Sequence, residues 1–260
     1  MTELIRPGPA SPTRPRRVAE ILIVLGLSLG ASAVYSVVSI VNSATRAEPI
    51  GSQTTALNQS LSPRPAFDLI YQFLAIFFDL IPVALVVFLL WSATRPHLRE
   101  LGVDFSRTGR DTFSGVALAL VIGIPGMVLY LVGRQLGLTL NVVPTPLDTY
   151  WWTVPILLLS AVRAAVVEEV IVVGYLFSRL RLFGWGTWSI IFATALLRGT
   201  YHVYQGPTAF IGNVAMGILF GWLYARYGRL LPLVVAHFLI DAAVFVGYPW
   251  AAVTFPALFS

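Results

Sequence analysis

Residues 151–178 read WWTVPILLLSAVRAAVVEEVIVVGYLFS, a run whose only charges are Arg163, Glu168 and Glu169. About 20 apolar residues in a helix cross roughly 30 Å of hydrocarbon, so the run reads as a membrane span carrying three costly groups. Comparable apolar runs lie at about 18–41, 67–91, 112–134, 187–203, 208–225 and 230–248. The 260 residues are 57% hydrophobic and 11% charged, too apolar for a soluble core to absorb. The expected fold is an all-α, polytopic transmembrane helix bundle of about seven spans.

All 17 basic residues are arginine, and the net charge of +5 is too small and too dispersed for a nucleic-acid surface. The arginines gather near span ends instead. Arg6, Arg14, Arg16 and Arg17 head the first span, Arg95, Arg99, Arg107 and Arg110 follow the second, Arg179 and Arg181 follow the fourth, and Arg226 and Arg229 follow the sixth. By the positive-inside rule these ends face the cytoplasm, N-terminus included. Tyr150, Trp151 and Trp152 form an aromatic belt where the fourth span begins. Ala31-Ser32-Ala33 has the form of a signal-cleavage site, but the apolar run continues to Val41 and reads as a retained helix. The chain divides into a disordered basic head (1–17), N-terminal transmembrane helices (18–149), a C-terminal transmembrane core (150–248) and a short tail (249–260). Gly212, Gly217 and Gly221 give the sixth span small faces for close helix packing.

With no cysteine in the chain, any metal depends on His, Asp and Glu. Ionisable groups inside the spans cluster late in the sequence: Glu168 and Glu169, then Arg198 and His202, then His237 and Asp241. Residues four apart share a helix face, which aligns Arg198 with His202 and His237 with Asp241. Adjacent glutamates point about 100° apart, so one can face a cavity while the other pairs with a neighbouring helix. A glutamate and two histidines from separate helices suit the activation of water for hydrolysis. Glu168, His202 and His237 would equally make a two-histidine, one-carboxylate zinc site. A buried network that only sets helix register, or the proton path of a coupled transporter, uses the same residue types.

These residues resemble the motifs of the CAAX-protease and bacteriocin-processing family of intramembrane endopeptidases. Glu168-Glu169-Val170-Ile171-Val172-Val173-Gly174-Tyr175 is similar to its first motif, EExxxR followed by glycine and an aromatic. His202 matches the histidine of the second, an aromatic followed four residues later by histidine, and His237 with Asp241 matches the third, HxxxN or HxxxD. The resemblance covers roughly residues 150–248 and implies that Glu168 activates water. It implies that His202, His237 and Asp241 complete the site and stabilise the oxyanion, with Glu169 as a supporting acid. A peptide or protein substrate at the membrane, lipid-modified as a CAAX terminus is, and a bacterial plasma-membrane location are further implications; zinc stays optional.

Two positions depart from the pattern. The motif arginine falls at Val173, and the aromatic of the second motif is Arg198. Arg198 is therefore expected to supply the missing cation from the fifth span and to pair with Glu169. Arg163 is expected to snorkel or to meet another helix, and Asp79, beside Pro82, to lie near the cavity. Asn213 and Gln205 are candidate donors to a bound peptide, and His97 reads as a loop surface residue. The rival functions are a catalytically inactive relative serving as a membrane scaffold or immunity protein, and a proton-coupled transporter.

Overall fold

The computed structural model describes residues 13–90, 98, 99, 101–143 and 150–254, with backbone alone at 251–253. Arg6, Arg95 and His97 lie outside the described residues. Helices α1 (Arg14–Gly26) and α2 (Leu29–Ala44) open the chain, followed by strand β1 (Thr54–Ala56), α3 (Pro65–Asp79), α4 (Ile81–Leu89) and α5 (Thr108–Gln135). Strand β2 (Asn141–Val143) precedes α6 (Thr153–Glu168), which runs through a π-helical segment (Glu169–Tyr175) into α7 (Leu176–Arg181). Then come α8 (Thr187–His202), α9 (Pro207–Tyr227), α10 (Leu231–Ala242), a second π-helical segment (Ala243–Gly247) and α11 (Tyr248–Thr254). Regular structure thus begins inside the expected head, at Arg14, and continues into the expected tail, to Thr254.

The helical bundle is the expected class, and the count of about seven spans stands as approximate. Among the described residues four helices are long and apolar enough to cross a bilayer, or five if the bent pair α1–α2 is one span. The two other expected spans fail for identifiable reasons. Every 18-residue window of 153–181 contains Glu168, Glu169 and at least one arginine. Helix α8 has only 16 residues. The site's own charges and a short helix therefore mask these two segments by length and apolarity, although each keeps an exposed apolar face, Leu159 and Val162 on one and Phe192 and Leu196 on the other.

Local sequence explains the breaks. The single helix expected at 18–41 bends by 56° between α1 and α2. Ser28 leaves helical geometry and its hydroxyl donates to Val24 O at 2.6 Å, satisfying a carbonyl that the helix releases. A side chain at Gly30 would fall 2.7 Å from Leu25 O, so only glycine allows this turn. Pro82, lacking an N–H, sits in the first turn of α4 where α3 has just ended, a position that proline tolerates.

Each end of the bundle is tied differently. At one end β1 and β2 pair in parallel, Thr54 opposite Asn141 and Ala56 opposite Val143, a feature with no signal in so short a sequence pattern. Gln53 Nε2 donates to Ser43 O and Glu48 O at 2.9 and 2.8 Å, and Arg134 Nη1 donates to Gly51 O at 2.7 Å. Thr139 Oγ1 donates to Gln205 O at 2.9 Å, joining this layer to the end of α8. At the opposite end Arg229 bridges Asp104 and Asp111, and Arg14 lies over the Phe183 ring.

Between these ends the core is formed by Ile171, Val173, Tyr175 and Phe177 packed with Ile190, Ile191, Phe220, Leu230 and Leu233. Helix α5 instead exposes Phe113, Leu120, Val121 and Ile124, and α3 exposes Phe73, Phe77 and Phe78, as lipid-facing helices do. Helices α8 and α9 meet closely. A methyl group at Gly217 would fall 2.8 Å from Ala195 Cα, and one at Gly199 would fall 2.5 Å from Val214.

Candidate active site

Helix α6 ends at Glu168, and the wider π turn starts at Glu169. A π turn shifts the side chains that follow relative to an α-helix, and such turns are frequent at functional sites. Helix α10 repeats the arrangement, passing into its π segment two residues after Asp241. Both motif-bearing helices therefore change winding directly after their acidic residues.

The two glutamates have unlike surroundings. Glu169 is fully buried, and its Oε1 accepts from Arg198 Nη2 at 2.5 Å and from His237 Nδ1 at 2.7 Å. Glu168 retains a little exposure and accepts on Oε2 from the Tyr201 hydroxyl at 2.7 Å. Arg198 Nη1 and His237 Nε2 stand off from the same Oε2 at 3.7 and 4.0 Å. A charged pair between two helices in apolar surroundings holds only with good geometry, and the Arg198–Glu169 pair has it. The Phe220 ring supports Arg198 with its guanidinium carbon 5.3 Å from the ring centre.

The histidines are oriented by their Nδ1 partners. Nδ1 of His202 donates to Arg198 O at 3.1 Å, and the ring packs obliquely on Tyr201 with centroids 4.7 Å apart. With Nδ1 of His237 on Glu169, its Nε2 points towards Glu168 and lies 3.5 Å from Asp241 Oδ2. The Asp241 side chain is 20% exposed, the most open of the cluster's four acidic and imidazole groups on α6 and α10.

Glu168, Glu169, Arg198, His202, His237 and Asp241 are thus brought together, and the pairing expected of Arg198 with Glu169 is present. Tyr201 was not singled out from the sequence, because a tyrosine beside a histidine in an apolar span equally reads as packing. Arg163 meets another helix, pairing with Asp79 at 3.0 Å beside a cleft of about 320 Å³ between α3, α6 and residues 56–61. Asp79 is committed to that pair instead of the cluster. Asn213 Nδ2 donates back to Ala209 O at 3.0 Å and Gln205 Nε2 to the Tyr204 hydroxyl at 3.0 Å.

A metal is a poor fit. Among the described residues no three His, Asp or Glu side chains are arranged to hold an ion. Arg198 already places its positive charge against both glutamates, at 2.5 and 3.7 Å, where a cation would have to sit.

Fold and site together define a helical membrane protein with an acid–guanidinium–imidazole cluster buried among three helical segments. Residues 150–243, which contain every member of the cluster, match the family model described as Type II CAAX prenyl endopeptidase Rce1-like. The family is one of peptide hydrolases, in agreement with the resemblance carried by the three motifs. Neither the curated proteins nor the solved structures yielded a match.

Proposed function

We propose that the chain is an intramembrane endopeptidase that hydrolyses a peptide bond near the membrane with a water activated by Glu168. The observation that carries this reading is the asymmetry of the glutamates. Glu169 is fully buried, neutralised by Arg198 and tethered to His237, whereas Glu168 takes its direct hydrogen bond from a neutral phenol and keeps some exposure. A general base needs a free oxygen that water can reach; each glutamate leaves one oxygen unbonded, but that of Glu169 is sealed in the protein while Glu168 keeps exposure.

In this mechanism Glu168 takes a proton from water as the hydroxide adds to the scissile carbonyl. The tetrahedral oxyanion gathers donors from Arg198 and His237, and His202 flanks the same space. Arg198 Nη1 is buried and makes no hydrogen bond within the protein, which suits a donor held ready for developing charge. Collapse of the intermediate breaks the C–N bond as Glu168 returns its proton to the leaving nitrogen. Asp241, at the open edge, orients His237. Every step uses side chains of the cluster, and none is routed through zinc.

The substrate class is a peptide or protein segment at the bilayer, with a lipid-modified terminus supported by the family match alone. A cytoplasmic N-terminus is supported by the arginines gathered at the end that holds Arg14, Arg179 and Arg229, and a bacterial plasma membrane rests on the family resemblance alone. The test is cleavage of a quenched peptide library by purified protein in nanodiscs, with and without chelator. Wild type should cleave, Glu168→Gln and His237→Ala should not, and chelator should have no effect. No cleavage by folded wild type would instead favour an inactive scaffold or a transporter.

A further inference from the structure

Helix α8 sends two neighbours towards the glutamate pair. Arg198 and Tyr201 are three residues apart and so lie on one face. They reach different carboxylates: Arg198 Nη2 donates to Glu169 Oε1, and the Tyr201 hydroxyl donates to Glu168 Oε2 at 2.7 Å. Tyr201 is only 5% exposed, so its phenol has little freedom to leave this contact. The His202 ring lies against it, and the close approach of α8 to α9 at Gly199 holds the helix itself in place.

The two donors differ in kind. A guanidinium pairs the charge of its carboxylate, while a phenol orients a carboxylate without neutralising it. The terminal torsion of an unanchored glutamate is broad, and either oxygen can turn towards a reactant. A glutamate anchored through Oε2 has one defined oxygen left. We propose that Tyr201 is a positioning residue for Glu168, pinning Oε2 so that Oε1 is the oxygen presented to the attacking water. This rests on the reading of the chain as a peptide hydrolase and adds to it a residue at a position that the second motif leaves unspecified.

The experiment compares wild type, Tyr201→Phe and a protein carrying 3-fluorotyrosine at 201, each full-length in nanodiscs, on one peptide that wild type cleaves. Loss of one hydrogen bond to a charged group corresponds to a kcat lowered roughly 10- to 100-fold in the Phe protein. KM should stay at its wild-type value, and the loss of one buried hydrogen bond should lower the unfolding midpoint only slightly, leaving the protein folded at the assay temperature. The fluorotyrosine protein keeps the donor and should retain most of the wild-type kcat. In a Glu168→Asp background, where the carboxylate is already withdrawn, Tyr201→Phe should have little further effect. An unchanged kcat, a loss expressed in KM, a loss explained by early melting, or an equal loss in the Glu168→Asp background would each overturn the proposal. Absence of cleavage by wild type would overturn the underlying reading instead, so the two failures are distinct.

Discussion

Two arginines in this molecule each bridge a pair of carboxylates, and they do opposite kinds of work. Arg229, between α9 and α10, holds Asp104 and Asp111 and so ties the loop before α5 to the start of α10. Arg198 lies between Glu168 and Glu169 in the middle of the bundle. The first grouping keeps contact with water, with 17% of the Arg229 side chain and 21% of the Asp104 side chain exposed. Neither partner of the Arg198–Glu169 pair is exposed at all. One guanidinium between two carboxylates therefore forms a screened clasp at one place and a charge that must stay paired at the other. Only the second can hold a reactive carboxylate away from bulk water.

The comparison breaks most readily at Arg198. Replacing Arg198 by Gln leaves Glu169 buried without its cation, and removal of one partner from a buried pair costs about 3–5 kcal/mol. The expected outcome is a large fall in the unfolding midpoint in detergent together with loss of cleavage. Moving the cation back to the motif position sharpens the point. Val173 is buried one turn after Glu169, and Val173→Arg combined with Arg198→Phe should recover folding and some activity that Arg198→Phe alone lacks. Failure of the double variant to improve on the single one would show that the cation must arrive from α8.

Next in size is the contrast between the glutamates. Glu168→Gln should lower kcat by about 10²- to 10⁴-fold with little change in the unfolding midpoint. Glu169→Gln should lower stability as well, since it strips the counter-charge from Arg198. Equal behaviour of the two variants would remove the assigned asymmetry. A smaller effect is expected at the helix contact behind Arg198. The side chain of Gly217→Ala would meet the Ala195 backbone at 2.8 Å, forcing α8 and α9 apart at about 1–3 kcal/mol, measurable as a lower midpoint.

The clasp should yield the smallest change. Hydrogen bonds from Ser106 and Arg229 hold the Asp104 carboxyl well below the usual carboxylate range. A carboxyl lowered on folding contributes stability at pH values above its unfolded pKa, near 4, and loses that contribution as pH falls through the folded value. Acid titration of wild type should therefore show a slight loss of stability below about pH 4 that Asp104→Asn lacks. High salt should weaken this clasp and leave the Arg198 cluster unaffected.

How much of this was legible in advance differs from residue to residue. Glu168, Glu169, His202, His237 and Asp241 stand out because a charge in an apolar span is expensive and needs a reason to be there. The Arg198–Glu169 pair was legible too, since one cation missing at Val173 and another present at Arg198 differ only in the helix that delivers them. Tyr201 was not, because its chemistry appears only when α8 is docked against α6. The π turns after Glu168 and Asp241 were hidden because an apolar run has no period that separates one helical winding from another. Arg163 and Asp79 were each noticed, but their pairing joins positions 84 residues apart.

The sequence by itself determined that this chain is a helical membrane protein, and which charged residues its spans must shelter. Hydropathy is a sum over neighbours along the chain, and the expense of burying a charge does not depend on knowing its partner. Only the tertiary structure decided which glutamate is neutralised and sealed, which keeps some exposure, and which tyrosine holds it. Those are matters of ångström distances between helices that are far apart in sequence, and they depend on the π turns and glycine contacts that set the registers of α6, α8 and α10.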